Sequence, residues 1–144
     1  MDSMGAYRYF LAEKRGDTLI AQLIDSHLQG DMVAEQLKQE LLRAVDAETP
    51  KMVIIDLRNV DIISTMVIST FLYANSRLGA SGIKFKLAEL SKPLRQIFHE
   101  LHLDGAILQI YGTIDEALSS AGGPNAEVDD TDRSAVFDPE EDDV

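Results

Sequence analysis

The 144-residue chain contains no cysteine. That excludes disulfides and thiol catalysis, and it fits a cytosolic protein. No stretch reaches the roughly eighteen consecutive apolar residues that a membrane-spanning helix needs. The opening Met1-Asp2-Ser3-Met4-Gly5 puts no basic segment ahead of an apolar one, so no secretory signal is expected. Neither Gly-x-Gly-x-x-Gly nor a Walker-type loop occurs, so no nucleotide cradle is expected. Positive charge is scarce: 13 Lys and Arg stand against 25 Asp and Glu, for a formal net charge of −12. Such a chain repels phosphates, which argues against nucleic acid as a partner.

The apolar share of 45% is ordinary for a globular protein, so a core can form. The length suits one domain with a tail. We place the domain at residues 1–121 and the tail at 122–144. The tail carries nine acids and one base, Arg133, which is −8 of the net charge. With Gly122, Gly123, Pro124, Pro139 and few large apolar groups, it buries too little surface to offset its ordering entropy. It reads as disordered, either a solubilising appendage or a docking arm.

Along the domain, Tyr7, Tyr9 and Leu11 alternate on one face of a first strand, Tyr7–Glu13. Lys14–Asp17 is a turn, with Gly16 free to take positive φ. Thr18–Ile24 is the second strand of a hairpin. His27–Gly30 reads as loop and Asp31 as a helix cap. Val33, Leu37, Leu41 and Val45 then recur at helical spacing. Met52–Leu57 is a near-continuous apolar run, as in a central strand covered on both faces. A second helix runs from Thr65 to about Ala80, with Val67, Phe71, Ala74 and Leu78 as its stripe and Ser69 and Thr70 as packing residues. Ile83, Phe85 and Leu87 alternate with Lys84 and Lys86 in a strand. Ser91 caps a third helix with Pro93 in its first turn. Ile107–Ile110 is a last strand, and Thr113-Ile-Asp-Glu116 is a capping box that opens a short final helix. The order β-β-α-β-α-β-α-β-α implies an α/β domain with a mixed, mostly parallel sheet of about five strands and about four helices.

No catalytic constellation is visible. His99 and His102, with Glu100 and Asp104 close by, have a conceivable metal-ligand spacing, or they form a solvated helix end. A small hydrolase or metal enzyme built on them is one hypothesis, and no metal or cofactor is expected otherwise. Ser64 and Thr65 have no sequence partner that would make either a nucleophile. Both stand where a strand exit loop meets the second helix. Ser64 suits the N-cap. A phosphate on Thr65 would add about −1.5 to −2 charge, which a helix N-terminus tolerates through its free N–H groups and its dipole. A partner docked there would meet a dianion next to Asp61. Modification would then switch binding without unfolding the domain.

The ordered set resembles the STAS family, the anti-sigma factor antagonists (anti-anti-sigma factors) of bacteria. The resemblance spans roughly residues 7–120. It rests on the hairpin, Val53-Ile-Ile-Asp-Leu-Arg-Asn-Val60, Ile63-Ser-Thr-Met-Val67, Leu78-Gly-Ala-Ser-Gly82, Ser91-Lys-Pro-Leu-Arg-Gln-Ile-Phe98, Leu101-His-Leu-Asp104 and Thr113-Ile-Asp-Glu-Ala-Leu118. It implies a STAS fold and a non-enzymatic, cytoplasmic binding protein. The implied partners are an anti-sigma factor that is also a serine kinase, and a PP2C-type phosphatase. Partner switching among them would regulate transcription. Family members commonly carry Asp-Ser-Ser-Gly, Asp-Thr-Met-Val or Asp-Thr-Ala-Gly at this helix start, and the hydroxyl after the Asp is the phosphoacceptor. Thr65 matches that hydroxyl, with Ser64 the second choice, and Met66-Val67 follow as in the stressosome-type variants. Ser64 stands where the Asp is usual. The implied partner surface is Asp61, Ser64, Thr65 and Met66. The alternative role is a STAS scaffold subunit of a stressosome-like or lipid-transport assembly without phospho-switching.

Overall fold

The computed structural model describes residues 7–105 and 107–120. The proposed tail, 122–144, lies outside the described residues. β1 (Phe10–Arg15) and β2 (Thr18–Leu23) form the opening hairpin, and Gly16 turns it at φ +58°. β3 (His27–Leu28) precedes α1 (Asp31–Glu48). β4 (Met52–Asp56), β5 (Ile62–Ile63), α2 (Thr65–Ala80), β6 (Lys84–Ala88), α3 (Lys92–Glu100), β7 (Gln109–Tyr111) and α4 (Ile114–Ser119) follow.

The main sheet has the order β1-β2-β4-β6-β7, antiparallel only between β1 and β2. This is the expected mixed, mostly parallel α/β sheet with four helices. Every residue of β4 is buried, because helices cover both faces of the central strands. On one face Val53, Ile55, Phe85 and Leu87 pack with Leu37, Leu41, Phe71, Leu94 and Phe98 from α1, α2 and α3. On the other, Ile20, Met52, Ile54 and Ala88 pack under Ile114 and Ala117 of α4.

Several expectations are corrected, and Lys14 and Arg15, expected in the turn, end β1. The inward face of β1 is Phe10 and Ala12, while Leu11 is exposed. Tyr7 and Tyr9 precede the strand: Tyr7 stacks on Phe10 at 4.7 Å, and Glu40 accepts from the Arg8 and Tyr9 N–H groups at 3.1 and 3.0 Å. The segment read as loop at His27–Gly30 contains β3. Gly30, not Asp31, is the N-cap of α1, at φ 99°, which disfavours any side chain; Asp31 instead places its charge in the positive first turn. The last strand starts at Gln109 rather than Ile107.

Lys86 differs most from its alternating pattern. It is fully buried, and its Nζ donates to the Ala117 and Ser120 carbonyls at 2.8 and 2.7 Å. The ammonium satisfies the C-terminal carbonyls of α4, a favourable place for a cation. At the other end of α4, Glu89 accepts from the Ile114 N–H at 2.9 Å and lies 3.7 Å from Arg58, which holds buried Asp56 at 2.9 Å. One polar chain therefore ties α4 to the exits of β4 and β6.

Candidate partner-binding site

The start of α2 is held by backbone hydrogen bonds. After β4 the chain turns through Leu57–Val60, both ends of the turn buried, and Asn59 Nδ2 donates to the Leu23 carbonyl. The Asp61 and Ile62 N–H groups both donate to the Ser26 carbonyl, at 2.7 and 3.0 Å. β5 then pairs in parallel with β3, His27 opposite Ile62 and Leu28 opposite Ile63. The Ser64 N–H donates to the Leu28 carbonyl at 2.9 Å. Leu28 and Ile63 are buried in the core beneath, so this two-strand ladder fixes where the helix begins.

Ser64 is the N-cap, in extended backbone at φ −89°, ψ 163°, and its Oγ accepts from the Val67 N–H at 3.4 Å. Thr65 is the first helical residue and is exposed. The two hydroxyls thus have different surroundings. Ser64 is half-buried and turned to the backbone, whereas Thr65 stands at the surface beside the positive end of the helix.

Exposed apolar residues stand on the elements that meet here: Ile24 after β2, Met32 on α1, Ile62 on β5, and Met66 and Tyr73 on α2, Met32 exposed by 77% and Met66 by 46%. A groove of about 220 Å³ separates α1 from α2. Met66, Ser69 and Tyr73 line one wall, and Asp31, Glu35 and Lys38 the other. Lys38 Nζ sits 4.9 Å from the Tyr73 ring centroid and 3.2 Å from Glu35. Hydrogen bonds from Gln39, then from Lys38, hold the Glu35 carboxyl below its ordinary range. Thr70 forms the floor, donating Oγ1 to the Ala34 carbonyl at 3.1 Å. Met66 and Tyr73 thus stand over a shallow, mainly apolar groove with charged groups on its far wall.

The structure places Asp61, Thr65 and Met66 at the surface and Ser64 just below it. Thr70 packs as expected, but Ser69 is exposed, because it points into the groove rather than the core. Tyr73, Lys38 and Glu35 are not among the residues expected at the site. The signal for them was present: Met66, Ser69, Thr70 and Tyr73 follow a helical i, i+3, i+4, i+7 stripe, as do Asp31, Ala34, Glu35 and Lys38.

His99 and His102 do not converge on a site. His99 Nδ1 lies 3.2 Å from Asp104 Oδ2 at the exposed end of α3, and His102 occupies a left-handed position at φ 58°. Among the described residues, no group of three or more His, Cys, Asp or Glu is placed to hold a metal. No helix among them is long and apolar enough to cross a membrane.

Residues 27–117 match the STAS domain family. The chain belongs to the STAS domain family. The match covers both strands of the ladder, the α2 start and the groove. Solved structures agree in fold. A serine-to-glutamate variant of RsbS from Moorella thermoacetica superposes with a TM-score of 0.65 at 16% identity, over 83% of this chain and 100% of that one. A putative anti-sigma factor antagonist of Thermotoga maritima gives 0.66 at 19% identity, over 77% and 92%. The anti-sigma factor antagonist SpoIIAA in its unphosphorylated form gives 0.64 at 18% identity, over 79% and 96%. No curated protein matches this STAS domain.

Proposed function

We propose that this STAS domain is a non-enzymatic, cytoplasmic anti-sigma factor antagonist in a bacterial partner-switching pathway. It binds an anti-sigma factor that is also a serine kinase, and phosphorylation at the start of α2 ends that binding. A PP2C-type phosphatase restores it. The observation that carries this reading is the exposed Thr65 hydroxyl at the first position of a rigidly latched helix, beside the apolar rim of Ile62, Met66 and Tyr73. A phosphate there gains helix N–H groups and dipole, so the fold survives it. A partner covering Met66 would have to desolvate that dianion, which is strongly unfavourable. Thr65 is favoured over Ser64 because the Ser64 Oγ already accepts from Val67 and is half-buried. Names of fold neighbours support the reading in kind: several are anti-sigma factor antagonists, and SpoIIAA is known in unphosphorylated and phosphorylated forms.

The test is affinity purification from the native host with intact-mass analysis. The expected result is a co-purifying serine kinase and a phosphorylated fraction that vanishes in Thr65→Ala and persists in Ser64→Ala. Phosphate lost only in Ser64→Ala would move the acceptor. A large homo-assembly with no kinase and no phosphate would replace the switch with a scaffold role.

A further inference from the structure

Five cations of the domain are paired with carboxylates: Lys14, Arg15, Lys38, Lys51 and Arg58 each lie within ion-pair distance of one. Lys92 and Arg95 have no carboxylate at that distance among the described residues, and both are exposed on one face of α3. With Gln96, His99 and Asp104 they line a groove of about 520 Å³. Two carboxylates neighbour these residues: Asp104, 3.2 Å from His99 Nδ1, and Glu100, which accepts from the Gln96 amide at 3.1 Å. A second groove of about 230 Å³ runs on from Arg95 past Ile110 to Tyr111. This second groove reaches the point where the chain leaves the described fold. Lys86 Nζ donates to the Ser120 carbonyl at 2.7 Å and sits 5.0 Å from the Tyr111 ring centroid.

From Ser120 onward come 24 residues holding nine acids. The first acidic run, Glu127–Asp132, begins seven residues on, within a reach of roughly 25 Å. We propose that the α3 groove binds an acidic peptide, and that its occupant is this chain's own segment Glu127–Asp143, seated on Lys92 and Arg95. Single exposed ion pairs are weak. Several of them, made by a tethered segment at an effective concentration in the millimolar range, suffice for occupancy.

The absence of cysteine makes the test direct. Ser134→Cys in the full chain carries one nitroxide, and ¹⁵N amide signals report which residues it approaches. Broadening concentrated at residues 92–99 and 110–112 is expected at low salt. It should disappear in 1 M NaCl, where the screening length is about 3 Å. It should also disappear in Lys92→Glu/Arg95→Glu, and independently in Asp129→Asn/Asp130→Asn/Asp132→Asn, which leaves the described fold untouched. Uniform broadening, or broadening centred on the α1–α2 groove, would overturn the proposal. So would equal broadening of an unlabelled ¹⁵N chain mixed with a labelled ¹⁴N chain, which would place the segment on a second copy.

Discussion

At the scale of single residues, Ser64 and Thr65 differ in what their hydroxyls touch. The Ser64 Oγ satisfies one helix N–H at a long 3.4 Å, so Ser64→Ala is expected to lower stability by about 0.5–1 kcal/mol. Thr65 makes no such bond, and Thr65→Ala is expected to stay within about 0.5 kcal/mol of wild type. Urea unfolding of the two variants checks this, and equal losses would show that Thr65 is part of the cap. Lys86 offers a second test at this scale. Its pKa is pushed down to about 8, first by burial and then by Lys84. The folded state thus releases this proton before the unfolded chain does, near the ordinary 10.5. The Lys86 contribution is therefore smallest below pH 8 and grows as pH rises from about 8 toward 10.5. Tyr111, raised by burial, works in the opposite sense above its ordinary pH of 10. The stability of wild type relative to Lys86→Met should accordingly increase between pH 7.5 and 9.5, and a flat difference would contradict the buried ammonium.

At the scale of elements, long periodic segments were legible and short ones were not. The stripe Val67, Phe71, Ala74, Leu78 and the run Met52–Leu57 marked α2 and β4 because apolar spacing repeats over several turns or pleats. β3 and β5 have two residues each, too few for any period, and their pairing joins segments more than thirty residues apart. Yet this ladder positions the candidate site, so Thr65 was readable as a helix start while the latch beneath it was not. Lys86 escaped for a related reason. Alternation assigns faces, but it does not reveal that α4 covers the second face and offers carbonyls to a cation. The end of α3 shows sequence and geometry in conflict. The His102 N–H donates to the His99 carbonyl and the Leu103 N–H to the Phe98 carbonyl, the pattern that ordinarily places glycine at φ 58°. His102→Gly is expected to raise stability by about 1 kcal/mol, measured as a higher unfolding midpoint. An unchanged or lower midpoint would mean that the histidine makes a compensating interaction.

At the scale of the whole molecule, a packed scaffold carries an exposed apolar rim. The sheet and the β3–β5 ladder hold the start of α2, α1 supplies the facing wall of the groove, and the apolar residues of that rim are exposed among the described residues. A charge added at position 65 should therefore act on association and leave the fold alone. The Thr65→Glu variant tests this most directly, in an isothermal titration of the serine kinase expected to co-purify, with wild type and variant, alongside their unfolding midpoints. The expected result is binding weakened at least tenfold, about 1.4 kcal/mol, with midpoints that coincide. Equal affinity of the two proteins for the kinase would contradict the switch at the start of α2.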